Sequence, residues 1–336
     1  MTEGPTEPRK GEGMKLQLLV PHYKEDPTEM LPLMESIAAQ QAIDFADIGV
    51  IIVSDGSTAT SLPESEWKSR FPYGIRFLHI PHGGVSAARN AALREASADY
   101  VMFCDADDMF CSAVGIYTIL QILDAEQLDV VITRFVEETR RNGSPFIVQH
   151  DNDLVFVHGK VYRRQYLSSK DIWFCPALTV HEDSYFNALA ASNTESIKFF
   201  PTVIYLWKWR DNSICRHDPD YLIKTYTNLI DSNDALVDEM TRRKEDGKAA
   251  ELTAVMLFDA YYQLNKSEWT AKTNADYRAK VIRRLTDYYD KHRARWETLD
   301  TALKMQISEG CRRRAVREGA GMEEVTFTDW IKTIGG

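Results

Sequence analysis

The five cysteines form no CxxC pair, and their number is odd. Cys104, Cys111, Cys175, Cys215 and Cys311 therefore suggest neither a disulfide framework nor a thiolate zinc site, and they fit a reducing compartment. No apolar run approaches the roughly 20 residues that span a bilayer. No GxGxxG follows the first apolar segment and no GK[ST] follows Gly83-Gly84, which excludes both a dinucleotide fingerprint and a P-loop. Positive charge is in short supply: the net charge of −10 argues against bulk binding of nucleic acid. Internal repeats and low-complexity segments are also missing. Residues 1–13 are polar and rich in Gly, Pro and Glu, so they read as a disordered leader and not as a signal peptide. A cytoplasmic protein is expected.

What stands out instead is Tyr100-Val-Met-Phe-Cys-Asp-Ala-Asp-Asp108, a short apolar run that ends in three carboxylates within four positions. Such a run reads as a buried strand. Carboxylates this close raise one another's pKa. A divalent cation relieves the conflict, and oxygen-only ligands suit Mg2+ or Mn2+. An acidic helix cap is the plainer alternative.

Leu16–Pro21, Ile48–Val53, Ile75–Ile80, Tyr100–Cys104 and Asp129–Arg134 read as strands. Helices are expected over Pro27–Gln40, Val85–Ser97 and Ala113–Glu126. This alternation implies βαβ units and a mostly parallel sheet. Beyond Arg134, antiparallel additions are expected: a hairpin of Phe146–Val148 with Leu154–Val157, then a strand over Phe199–Trp207. From Asp218 onward the pattern is helical. The expected division is therefore a mixed α/β domain over 14–216 and a helical C-terminal region over 217–336. Pro21-His-Tyr-Lys-Glu25, Ser54-Asp-Gly-Ser57 and Asp105-Ala-Asp-Asp108 all leave strands at the same sheet edge, where ligands of such folds bind. Gly83-Gly84, ahead of a helix, offers backbone N–H groups to a diphosphate.

In order, these pieces resemble the inverting family 2 glycosyltransferases of GT-A type, a nucleotide-diphospho-sugar transferase fold. The resemblance runs over Leu16–Arg216: Val20-Pro-x-Tyr23 with Glu25, Asp55-Gly-Ser57, Gly84-Val-Ser-Ala-Ala-Arg-Asn90, Asp105-Ala-Asp-Asp108, Glu182-Asp183, and Tyr205-x-Trp-x-x-Arg-x-x-Ser-Ile214. It implies transfer of a sugar from a nucleotide sugar, most often a UDP-sugar, to an acceptor hydroxyl. Pro21, Tyr23, Glu25 and Asp55 would then meet the nucleoside, with Tyr23 stacking on the base. Gly84, Arg89 and Arg210 would lie near the diphosphate, although Arg89 is as readily a structural partner of Asp105 or Asp107. Asp107 would be the main metal ligand, with Asp105 shared between metal and ribose. Asp108 would either ligate or cap a helix, and His217 would complete the metal shell. Asp183 would be the catalytic base. Trp207 and Trp209 would either stack on sugar rings or belong to the core. The QxxRW motif of processive members is missing, which favours single additions to a glycan, lipid-linked or other hydroxyl acceptor in cell-surface polysaccharide or glycoconjugate synthesis.

From Lys272 to Ala320 there are 13 Lys and Arg against 7 Asp and Glu, interleaved with aromatics. This stretch reads either as a solvated helix face over a core stripe or an oligomer contact, or as a surface for anionic lipid, nucleic acid or an acidic partner. A peripheral place at the inner face of the membrane is consistent with the second reading. Two further readings remain open: a glycosyltransferase acting on modified nucleic acid, and a non-catalytic nucleotide-sugar binding module.

Overall fold

A computed structural model describes residues 13–56, 62–141, 143–210, 221–317 and 325–335. Its strands are β1 (Leu16–His22), β2 (Ile48–Asp55), β3 (Gly74–Ile80), β4 (Tyr100–Phe103), β5 (Met109–Phe110), β6 (Val130–Arg141), β7 (Ser144–His150), β8 (Lys160–Arg163) and β9 (Ile197–Trp207). The helices among them are α1 (Pro27–Ala38), α2 (Glu64–Arg70), α3 (Val85–Glu95), α4 (Gly115–Ala125), α5 (Arg164–Ser169) and α6 (Glu182–Ser192). The remainder is helical: α7 (Tyr221–Lys224), α8 (Tyr226–Arg242), α9 (Asp246–Leu264), α10 (Ser267–Lys272), α11 (Ala275–Thr298), α12 (Thr301–Arg317) and α13 (Phe327–Ile334). No helix among the described residues is long and apolar enough to cross a membrane.

The sheet runs β3-β2-β1-β4-β8-β6-β9-β5, with β7 added to β6. β3, β2, β1 and β4 are parallel. β8 is antiparallel to both β4 and β6, and β9 runs parallel to β6. This is a GT-A arrangement, a parallel half extended by mixed strands. Strand order reverses between β1 and β4, so the exits at His22 and Phe103 flank the topological switch point where such sheets bind ligands.

Local chemistry explains the elements around that point. Asp26 caps α1 through Thr28 N–H, Glu29 closes the capping box, and Pro27 takes the first helical position. Met30, Leu33, Met34 and Ile37 are buried at helical spacing, packed with Leu16, Leu18 and Val20 of β1 and with Ile116, Ile119 and Leu120 of α4. A second aromatic cluster gathers Phe103, Tyr162, Phe174 and Phe186, in which Phe174 and Phe186 stack at 4.1 Å.

Several expectations need correction. β7 does not pair with Leu154–Val157; it pairs with the far half of β6, from Phe135↔His150 to Arg141↔Ser144. β6 is longer than expected because this half is polar and gave no apolar run. Helices α2 and α5 and the two-residue β5 were not anticipated, being too short to show a period.

By internal contacts the chain forms two units, Met1–Thr179 with Phe186–Arg210, and Val180–Tyr185 with Asp211–Gly336. In the second, Val281, Leu285, Tyr288 and His292 of α11 are buried, so its apolar stripe is core. On its basic side Arg284 meets Asp231 and Asp234, and Lys291 meets Asp234 and Asp238. Burial would raise the Asp234 carboxyl, but hydrogen bonds from His292, Lys291 and Arg284 outweigh it and hold the pKa low.

Candidate active site

The loops leaving β1, β2 and β3 form one side of the site. His22 is buried and bridges Ser54 Oγ (3.1 Å) and the Glu25 carbonyl (2.9 Å), tying the two loops together. The Glu25 carboxylate turns back to accept the Tyr23 and Lys24 N–H groups. Tyr23 is 38% exposed and stacks on His82, ring centroids 4.4 Å apart. Pro21 lies within β1, opposite Val53. Asp55 accepts from Gly83 N–H (2.7 Å), Gly84 N–H (2.8 Å) and His82 Nδ1 (2.9 Å). The expectation of free N–H groups at Gly83-Gly84 is therefore corrected, because the protein's own carboxylate already occupies them. Asp55 is itself buried and fastens the end of β2 to the start of α3. Gly56 makes this possible: its φ is +70°, and a Cβ there would stand 2.6 Å from His82 Cβ.

The acidic motif forms the other side. Arg89, 3% exposed within α3, reaches Asp105 Oδ1 at 3.0 Å, so the pairing expected as one of its two readings is present. Burial raises the Asp105 carboxyl, but Arg89, His158 and Arg210 outweigh that and leave its pKa lowered. Asp107 faces Arg210 Nε at 3.0 Å with a fifth of its side chain exposed. Burial, Asp105 and Glu25 push its pKa up to about 6 despite Arg210. Asp108 is fully buried and accepts from Tyr205 O–H (2.9 Å) and Lys208 N–H (3.0 Å). Among the described residues it caps no helix, and through these bonds it holds the end of β9 against the motif. Burial, then Asp105 and Asp107, drive its pKa well above the carboxylate range.

Three carboxylates arranged so that two resist ionisation suit a hard cation. Asp105, Asp108 and His158 present ligand atoms within 4.8 Å of one another. His158 was not found in the sequence, since a single histidine in a loop between strands carries no spacing signal. Arg210 is the cation that Asp107 has at present. Arg210→Ala should therefore strengthen Mn2+ binding in the absence of nucleotide about fivefold, the equivalent of roughly 1 kcal/mol for a partly exposed pair. Electron paramagnetic resonance of free Mn2+ measures this, and an unchanged affinity would show that the guanidinium does not compete.

Trp207 packs against Phe156 (4.9 Å) and His158 (5.0 Å), whereas the Trp209 ring carries the Arg140 guanidinium at 5.5 Å. Asp183 lies in the first turn of α6, which begins at Glu182. His181, just before it, has a φ of +62°, and its carbonyl accepts from Ser232 Oγ at 3.0 Å. Burial lowers the His181 pKa, partly opposed by Asp183. His217, expected to complete the metal shell, lies outside the described residues.

Residues 18–189, just over half of the chain, match the family model Glycosyl transferase family 2. The chain is 26% identical over 219 residues to the uncharacterized glycosyltransferase EpsJ of Bacillus subtilis, an alignment covering 59% of this chain and 62% of EpsJ. It is 24% identical over 207 residues to the poly(ribitol-phosphate) beta-N-acetylglucosaminyltransferase TarS of Staphylococcus aureus, covering 58% of this chain and 35% of TarS. Less than two thirds of either relative's length is thus matched. In structure, TarS 1-349 in complex with UDP-GlcNAc superposes with a TM-score of 0.64 at 19% identity, over 90% of this chain and 92% of that one. The mannosyltransferase PcManGT of Pyrobaculum calidifontis, in complex with GDP-Man and Mn2+, gives 0.50 at 16% identity, covering 90% and 86%.

Proposed function

Since the chain belongs to glycosyl transferase family 2, we propose that it is a cation-dependent, inverting glycosyltransferase that moves a sugar from a UDP-sugar to an acceptor hydroxyl. The observation that carries this reading is the carboxylate set at the switch point, where Asp105, Asp108 and His158 bring ligand atoms within 4.8 Å of one another, with Asp107 beside them held to Arg210. Proteins keep such a charge conflict where a ligand resolves it. The UDP-GlcNAc in the TarS complex and the Mn2+ in the mannosyltransferase complex support the donor class and the cation.

In this reading Asp107 and Asp105 would hold Mn2+ or Mg2+. When bound, the cation neutralises the leaving nucleoside diphosphate, so that departure needs no proton donor. Tyr23, already stacked on one face by His82, presents a ring to the nucleobase. Arg210 is the chain's own positive charge for the diphosphate. Asp183 takes the proton of the attacking hydroxyl. The proposed domain division keeps the donor site within 14–216. The proposed setting is the cytoplasm, where nucleotide sugars are made. The TarS name supports a polyol-phosphate or glycan acceptor in surface-polymer synthesis.

The test is turnover of UDP-GlcNAc, UDP-glucose, UDP-galactose and GDP-mannose with Mn2+, read as nucleoside diphosphate release. Release from at least one UDP-sugar, abolished by a chelator, is expected. Neither release nor binding of any of the four would sink the proposal.

A further inference from the structure

We infer that His158 is a positioning residue of the donor site, an imidazole wedge between Asp105 and Asp108 that steers the Asp105 carboxylate. The role rests on the donor-site reading above and adds a residue that no motif of the chain contains.

The ring has little freedom. It is 2% exposed and lies nearly parallel to Tyr205, centroids 5.3 Å apart at 14°. Trp207, Phe135 and Phe156 close the other sides at 5.0, 5.4 and 6.0 Å. Its backbone is fixed by the next residue, Gly159, whose φ is +67° and whose carbonyl accepts both Thr133 N–H and Thr133 Oγ1. A Cβ on Gly159 would stand 3.0 Å from Thr133 Oγ1, so this turn is built for glycine and holds His158 against β6.

Within that aromatic cage the two ring nitrogens face the two carboxylates. Nε2 lies 4.0 Å from Asp105 Oδ2, and Nδ1 lies 3.8 Å from Asp108 Oδ2. Tyr205 O–H completes the frame, donating to Asp108 and accepting the Asp105 N–H. A phenylalanine would suit the cage itself and would avoid burying polar atoms. What phenylalanine cannot do is present a polar edge to Asp105 and Asp108 together. Asp108 stays held by Tyr205 and Lys208, and Asp105 Oδ1 by Arg89; without that edge Asp105 Oδ2 loses the polar ring beside it, which loosens an oxygen meant for cation and ribose. Misplacement on this scale suffices to weaken a preorganised site.

The experiment compares His158→Phe, His158→Gln, Asp105→Asn and the double variant His158→Phe/Asp105→Asn. Calorimetry measures UDP affinity in the presence of Mn2+, and thermal melting checks the fold. His158→Phe puts a larger ring into a closed cage, so it should melt a few degrees below the parent yet remain folded, and bind UDP·Mn2+ about tenfold or more weakly. Glutamine, which keeps a polar edge, should recover most of that loss. In the Asp105→Asn background the phenylalanine change should cost little more, because the coupled carboxylate is gone. Full affinity in His158→Phe would overturn the inference, as would an equal loss in both backgrounds. If phenylalanine prevents folding, the glutamine variant alone decides, and a loss there as large as that of Asp105→Asn overturns the role. A parent protein that binds no UDP·Mn2+ would instead refute the donor-site reading and this role with it.

Discussion

Asp107→Ala is expected to lower turnover about 10³-fold or more while the protein stays folded. The loss follows from removing the proposed main ligand of a charge clamp that would be worth several kcal/mol at the leaving group. The stability effect has the opposite sign. Asp107 has a folded pKa of about 6 against an ordinary 3.8, so ionising it costs the native state free energy as pH rises through that window. Above pH 6 the whole penalty is present, with an upper bound of about 3 kcal/mol at roughly 1.4 kcal/mol per unit. Partial exposure and the lost Arg210 pair reduce the gain, yet the variant should melt no lower than the parent at pH 7.5. The same pKa sets a pH dependence for the site: below about pH 6, proton and cation compete for Asp107, and Mn2+ affinity should fall roughly tenfold per unit. Retained turnover at saturating Mn2+, or a sharply lower melting temperature, would contradict this account.

Asp183→Asn should separate binding from chemistry. Asparagine keeps the shape at the start of α6 but cannot accept a proton, so transfer should fall by about 10² to 10⁴, the usual contribution of a positioned general base. UDP affinity with Mn2+ should stay within about twofold, because the proposed base has no part in holding the donor. The melting temperature should drop slightly, since a carboxylate in a first helical turn contributes about 0.3–1 kcal/mol. Near-normal transfer would place the base elsewhere. A parallel loss of UDP affinity would show that Asp183 supports the donor site and not the chemistry.

Much of the donor half could be read from the residues because its signals are local. The runs at Leu16, Ile48 and Tyr100 are strands because both faces of the sheet are covered, and Asp26-Pro27 marks the start of α1. What escaped depends on partners distant in sequence. Gly83 and Gly84 look free until Asp55, 28 and 29 residues away, is folded onto their N–H groups. Asp108 resembles a helix cap in sequence, yet its partners Tyr205 and Lys208 lie about 100 residues on. The partner of β7 is not legible in sequence, because its neighbour, Glu137-Glu138-Thr139-Arg140 of β6, carries no apolar pattern. His158 illustrates the limit most plainly, since nothing in its own neighbourhood marks it as the residue between two of the three motif aspartates.

Calorimetric titration of UDP with and without Mn2+, on the parent and on Asp107→Asn, tests the central claim most directly. If Asp105-Ala-Asp-Asp108 is a cation–diphosphate site, Mn2+ should raise the parent's UDP affinity at least about tenfold, equivalent to roughly 1.4 kcal/mol, and should leave that of Asp107→Asn unchanged. Equal UDP affinity with and without the metal in the parent, or an undiminished metal effect in the variant, would contradict it.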